Sequence, residues 1–212
     1  MCGRYTLSVG FLDIRMQKLL RLCALAPEDT PELKTDERME IRPCDYAPVL
    51  MVANGATVPT AMQWGFTKSE KSLIINARIE TASEKKMFAY LISHNRCALP
   101  AAGYYEWRDS DHLRHLITQP GGEPFYLAGL YRREDDGVLR FVILTRAAVG
   151  AHSQIHARMP VVLQTRHEAR QWIHGVTTLD ALQNPPVDSL SIQPMGDEQL
   201  RMDFDNHSAV EE

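Results

Sequence analysis

A chain of 212 residues with 44% apolar and 24% charged side chains can bury a sizeable core, and its length fits one soluble globular domain. A formal net charge of −4 provides no global attraction for nucleic acid, so any such contact must come from a local basic patch. The four cysteines, Cys2, Cys23, Cys44 and Cys97, include no Cys-x-x-Cys pair, which argues against a structural zinc site or a dense disulfide framework.

No apolar run approaches the ~20 residues needed to span a bilayer. The start lacks a basic segment followed by an apolar one, so no signal peptide is expected and the chain reads as cytoplasmic with reduced thiols. Tyr5-Thr6-Leu7 reads as a short strand. Helical spacing of Leu12, Met16, Leu19, Leu20 and Cys23 predicts a helix over residues 11–25, ended by Pro27-Glu28-Asp29 and followed by a charged surface loop to Glu40. Pro43 and Pro48 make residues 42–48 a rigid extended segment. Strands over 49–52 and 58–66 turn at Asn54-Gly55. A polar loop over 67–72 leads to the apolar run Leu73-Ile74-Ile75 and then Asn76-Ala77-Arg78. Thr81-Ala82-Ser83-Glu84 has capping-box spacing and is expected to start a helix.

Further strands are predicted over 96–99 and 103–107, joined through Pro100, and over 125–131 and 139–145, turned by Asp136-Gly137. Residues 147–156 form a loop or short helix, and 160–163 a strand. Thr165 and Glu168 make a second capping box for a helix through Trp172. A short helix over 179–183 and a strand over 190–192 complete the domain. Short strands with Gly and Pro turns and few helices define an α+β class: one domain over residues 2–195 with a mainly antiparallel, barrel-like sheet, and an acidic, flexible tail over 196–212.

Four residues invite chemistry. If Met1 is removed, Cys2 carries an α-amine and a thiol on adjacent carbons, a pair that traps an aldehyde as an imine and then closes a thiazolidine; it can equally act as an N-terminal nucleophile. Asn76 follows three aliphatics and can orient a carbonyl or sugar oxygen. Glu106 between Tyr105 and Trp107 is either an acid held against aromatic surface or the solvent-facing residue of a half-buried strand. His156 is a candidate proton carrier. Arg4, Arg78 and Arg158 can each present a bidentate fork to phosphate. The pairs His152/His156 and His112/His115 have spacing that can suit a metal on a helix, but no third ligand accompanies them, and neither metal nor cofactor is expected.

Met1-Cys2-Gly3-Arg4, the segment Ile75-Asn76-Ala77-Arg78-Ile79-Glu80-Thr81, the segment Arg96 to Trp107 and Ile155-His156-Ala157-Arg158-Met159-Pro160 resemble, in order, the signature blocks of the SOS response-associated peptidase (SRAP) family. Its members crosslink covalently to abasic sites in single-stranded DNA. The resemblance implies that Cys2 bonds the ring-opened aldehyde, that Glu106 and His156 move protons, and that Asn76 holds the reacting end. It implies DNA contacts at Arg4, Arg78, Lys86 (which equally suits the solvated face of a helix), Thr145 and Arg158, autolytic loss of Met1, a weak lyase side activity and a monomeric protein. The Cys2 thiol, at an ordinary ~8.5, is expected to be lowered by nearby arginines. Three departures stand out. The loop over 66–72 lacks the family's Trp and Pro, Asp45 stands for Asn, and Ala157 stands for the Asp after the histidine; weaker DNA affinity and slower reversal are expected. The rival readings are an N-terminal-nucleophile amidotransferase and a non-catalytic DNA-binding module.

Overall fold

A computed structural model describes residues 2–22, 38–69, 72–183 and 190–196. The expected C-terminal end of the first helix with Cys23, its Pro-Glu-Asp stop and residues 197–212 of the expected tail lie outside the described residues. Strand β1 (Arg4–Ser8) leads through a 3-10 turn to helix α1 (Ile14–Leu22). The helix starts later than its periodicity suggests because Asp13 caps it, its carboxylate accepting from the Arg15 and Met16 N–H groups at 3.1 and 3.0 Å. Strand β2 (Arg38–Ile41) replaces the end of the expected surface loop. Its Met39 and Ile41 alternate into the core and pair with Leu7 and Tyr5, a long-range match that no local signal carries.

Strands β3 (Tyr46–Ala53) and β4 (Ala56–Trp64) form the predicted hairpin, with Asn54 and Gly55 both at positive φ as a tight two-residue turn requires. The expected polar loop is instead a small hairpin of β5 (Phe66–Ser69) and β6 (Ser72–Ile74), because Phe66 is buried and pairs in register with Ile74. Strand β7 (Asn76–Arg78) runs into a one-turn helix, α2 (Ile79–Ala82), and a turn then opens α3 (Lys86–His94). The Thr81–Glu84 capping box does not form. Thr81 lies inside α2, its carbonyl accepts from Glu84 and Lys85, and α3 starts after Lys85 without a side-chain cap.

Strands β8 (Arg96–Ala101) and β9 (Gly103–Trp107) are separated by one residue, where the chain crosses from one sheet to the other. Gly103 is needed there: a Cβ would lie 2.9 Å from Leu116 Cδ1 and 3.0 Å from the Ile117 carbonyl. Strands β10 (Arg114–Thr118), β11 (Phe125–Arg133), β12 (Leu139–Ala147), β13 (Arg158–Pro160) and β14 (Val162–Leu163) follow. Helix α4 (Arg166–Ile173) carries the predicted Thr165–Glu168 capping box, α5 (Leu179–Gln183) falls as expected, and β15 (Ser191–Pro194) ends the described chain.

The strands β12, β4, β3, β8 and β11 hydrogen-bond in a closed ring, since β11 also pairs with β12. All of its pairings are antiparallel except β12 with β4. Closure removes the sheet edges and buries Trp64, Phe141, Leu127 and Leu99 inside. A second sheet, ordered β15-β10-β9-β1-β2, packs against this barrel through the edge-on contact of Tyr104 with Phe125, centroids 6.3 Å apart. The protein is therefore α+β, with a mainly antiparallel barrel. No helix among the described residues is long and apolar enough to cross a membrane.

Candidate active site

The site forms where the two sheets meet. Cys2, just before β1, is fully buried, and its carbonyl accepts a 2.9 Å hydrogen bond from Asn76 Nδ2 on β7 of the barrel. The other end of that amide, Asn76 Oδ1, is buried and has no hydrogen-bond partner among the described residues. The Cys2 thiol faces the Arg4 carbonyl at 3.8 Å. Burial pushes this thiol well above its ordinary range, and the Glu106 carboxylate pushes it further the same way. The lowering by arginines expected from sequence is therefore reversed, because burial and, after it, the Glu106 carboxylate outweigh the opposing contact with the Arg4 carbonyl.

Glu106 is 1% exposed, which removes the alternative of a solvent-facing strand residue. Strand β9 lies in the middle of its sheet and both of its faces are covered, so Tyr104, Tyr105 and Glu106 are buried in succession. Glu106 shares the barrel-facing side with Tyr104, while Tyr105 lies under the Arg114 guanidinium at 3.7 Å. Burial raises the Glu106 carboxyl above the ordinary carboxylate range, and the charge of His156 only partly opposes this.

His156 follows a 3-10 turn, Gly150–Gln154, and lies between two carboxylates: Nδ1 is 3.6 Å from Glu106 Oε1, and Nε2 is 3.7 Å from Asp109 Oδ1. The Arg158 N–H donates to Nδ1 at 2.9 Å. His152, one turn earlier, is buried beside Tyr104; burial, with His156 nearby, pushes it down to about 4. His112 lies in the loop before β10 and His115 in β10, so that pair has no helical geometry. No group of three or more metal-ligating side chains occurs among the described residues.

The cationic candidates lie on several elements. Arg4 donates to Glu40 at 3.0 Å and lies 5.4 Å from the Trp107 ring centroid. Arg42, at 2.8 Å, and Arg114 converge on the same carboxylate. Burial alone would raise Glu40, yet the three guanidinium groups hold it below the ordinary range. Three cations on one anion leave this corner net positive. Parallel pairing of β7 with β12 sets Arg78 opposite Thr145, and β13 lies on the other side of Thr145. Arg78 is exposed there. Arg158 spends its fork on Glu80, at 2.6 and 2.8 Å, and on the Thr145 carbonyl, at 2.7 Å. The Arg158 hydrogen bonds hold the Glu80 carboxyl below its usual range. Lys86 is exposed at the start of α3, an element that carries none of the other eight candidates. Asp45 is occupied by the turn it closes, its carboxylate accepting from the Arg42 N–H at 2.7 Å.

Four participants had no signal in the sequence: Glu40, Glu80, Asp109 and Arg114. Each acquires its importance from a partner at least 40 residues away. A cleft lined by His167, Arg170, Gln171, His174 and Val176 runs along α4 and includes none of the nine candidate residues.

The closed barrel and the second sheet thus bring the buried Cys2 to Asn76 and Glu106, with His156 3.6 Å from Glu106. The family model for SOS response associated peptidase (SRAP) matches residues 1–202, and the chain belongs to that family. It is 29% identical over 191 residues to the abasic site processing protein YoqW of Bacillus subtilis, covering 84% of this chain and 82% of that protein. It is 27% identical over 234 residues to YoaM of the same organism, an abasic site processing protein, covering 98% and 100%. Over 118 residues, 52% of each chain, it is 33% identical to the abasic site processing protein YedK of Escherichia coli. Two solved structures share the fold: a protein from Bacteroides thetaiotaomicron (TM-score 0.69, 22% identity, 94% of each chain) and a phage-related protein from Bordetella bronchiseptica (TM-score 0.65, 24% identity, 92% and 94%).

Proposed function

We propose that this protein captures abasic sites in single-stranded DNA by bonding Cys2, freed by removal of Met1, to the aldehyde of the ring-opened deoxyribose. The observation that carries the reading is the 2.9 Å bond from Asn76 to the Cys2 carbonyl, which holds a would-be aminothiol against the buried Glu106. Family membership and the abasic-site processing described for the relatives support the choice of lesion.

The order of steps follows from the protonation states. A free α-amine, with an ordinary value of ~7.7–8.0, has a usable neutral fraction at neutral pH, whereas burial keeps the Cys2 thiol protonated. The amine therefore attacks first. Its nitrogen bonds the aldehyde carbon, and water leaves as the iminium forms. The sulfur then adds to that carbon, and its proton leaves as the five-membered thiazolidine closes. A carboxyl raised by burial is suited to deliver the proton that the departing water needs and to receive one on ring closure. His156, 3.6 Å away, relays that proton. The unpartnered Asn76 Oδ1 is an acceptor for the amine or a sugar hydroxyl. Arg4, Arg78, Lys86 and Arg158 meet the phosphates, and Thr145 a backbone oxygen, with the protein acting as a monomer and without a cofactor.

Two side reactions belong to the same chemistry. Removal of Met1 by the protein itself would account for the peptidase in the family's description, and β-elimination from the iminium would give a weak lyase activity. The test is incubation with a single-stranded oligonucleotide carrying one abasic site, followed by denaturing electrophoresis. A heat-resistant shifted band is expected. Glutamine hydrolysis without such a band would favour an N-terminal-nucleophile amidotransferase instead.

A further inference from the structure

We propose that Asp109 is a positioning residue that selects the tautomer of His156, so that the proton enters and leaves the ring at Nδ1, on the Glu106 side. The proposal rests on the reading of His156 as the proton carrier.

The argument starts at Nδ1, which faces both main-chain groups of one residue. The Arg158 N–H donates to it at 2.9 Å, and the Arg158 carbonyl lies 3.2 Å away. The first contact requires Nδ1 without a proton, and the second requires Nδ1 with one. Glu106 Oε1, at 3.6 Å, is a further acceptor for the protonated form. This nitrogen is thus seated to hold a proton or to lack one without losing a partner.

A neutral imidazole carries a single N–H. For Nδ1 to be bare, Nε2 must keep that proton, and it needs an acceptor. Asp109 Oδ1, at 3.7 Å, is in ion-pair reach of it, and the side chain is 68% exposed, with room to close the gap or to engage through water. Ala157, the next residue in the chain, has no side-chain acceptor.

Asp109 is held at this spot by main chain as well as by charge. Its N–H donates to the carbonyl of Ile155, the residue before His156, at 2.9 Å. The turn that carries it is closed by the Arg108–Leu113 main-chain bond at 2.9 Å and clamped by the two-pronged pair of Arg108 with Asp111. On the other side, the His156 N–H donates to the His152 carbonyl at 3.2 Å, which fixes the backbone under the ring. The titratable or charged groups around the ring include, among the described residues, Glu106, Asp109, His152 and Arg158, and the guanidinium of the last is engaged by Glu80. Of these four, Asp109 is the one that approaches Nε2. In the neutral ring Nε2–H faces Asp109 and Nδ1 accepts from Arg158. Once protonated, Nδ1–H donates to the Arg158 carbonyl or Glu106 while Nε2–H stays in place.

The test reads the ring nitrogens directly, without DNA. In protein labelled with ¹⁵N-histidine, with the His156 signals assigned by their loss in His156→Gln, the neutral wild-type ring is expected as the Nε2–H tautomer. Asp109→Ala should give a mixture of tautomers, and Asp109→Glu should restore the wild-type pattern. Release of DNA from the adduct should slow about tenfold in Asp109→Ala, below the 10²–10⁴ of a general acid–base group itself, and recover in Asp109→Glu. Unchanged ring shifts in Asp109→Ala overturn the proposal, whether or not release slows, because slower release would then come from loop packing. Shifted tautomers in a protein whose wild type forms no adduct would leave the Asp109 assignment standing and bring down the proposed function.

Discussion

Glu106→Gln keeps the size and shape of the buried side chain and removes its acid, so it separates the carboxyl's chemistry from its packing. Losing a general acid–base group costs ~10²–10⁴ in rate, which is about 3–5 kcal/mol of barrier at ~1.36 kcal/mol per decade. Adduct formation should slow by that factor. Stability should move the other way. In the unfolded chain a glutamate ionises near ~4.3, while burial holds the folded group higher. Between those two values the folded protein binds the extra proton, so wild-type stability falls as pH rises, and the loss is complete above the folded value. Glutamine has no such loss. The Tm of the variant minus that of the wild type should therefore grow from about pH 4 upward and then level off. Thermal melts of both proteins across pH 4–8, with single-turnover adduct rates at neutral pH, read both effects. Parallel melting curves at every pH would show that the fold does not penalise this carboxylate, and a wild-type adduct rate would remove Glu106 from the mechanism.

The remaining predictions concern single contacts. His156→Ala should slow exchange of the adduct onto a competing abasic strand by on the order of 10²-fold, more than it slows formation; unchanged exchange would count against its role. Arg158→Ala should reduce the salt dependence of single-strand affinity by ~0.7 in the log–log slope, measured by fluorescence anisotropy; an unchanged slope would mean that Arg158 stays on Glu80. Thr165→Ala should lose the capping box of α4 and lower unfolding free energy in urea by about 1 kcal/mol. A loss of a few tenths or less would show that Arg96 and Trp172, stacked at 4.3 Å, hold that helix without its cap.

What was legible in the sequence was local. Asn54-Gly55 and Asp136-Gly137 turned the hairpins they were expected to turn, and Thr165 with Glu168 capped α4, because each signal acts within four residues. The same spacing at Thr81 and Glu84 failed because Ile79 and Ala82, both buried, draw residues 79–82 into a helical turn of their own. Met39 reads as part of the charged loop that ends at Glu40, since the strand it joins begins more than 30 residues earlier. Of the site, the residue types at positions 2, 76, 106 and 156 could be named from chemistry and resemblance. Their surroundings could not: the sequence of β9 alternates in a way that suits a half-exposed strand, and only packing between two sheets buries Glu106. Arginines in the sequence suggest a lowered thiol, whereas its environment is set by burial and by Glu106. Asp109 is an unremarkable turn residue until the fold carries His156 to it.

The central claim is a covalent bond from Cys2 to the abasic aldehyde, and mass spectrometry tests it most directly. After incubation with an abasic oligonucleotide, the adduct should weigh as much as the chain without Met1 plus the oligonucleotide minus one water. Proteolysis should map the linkage to Cys2, and Cys2→Ala should yield no heat-stable adduct. An equally abundant, heat-stable adduct in Cys2→Ala, or none at all from wild-type protein shown to have lost Met1, would contradict the account.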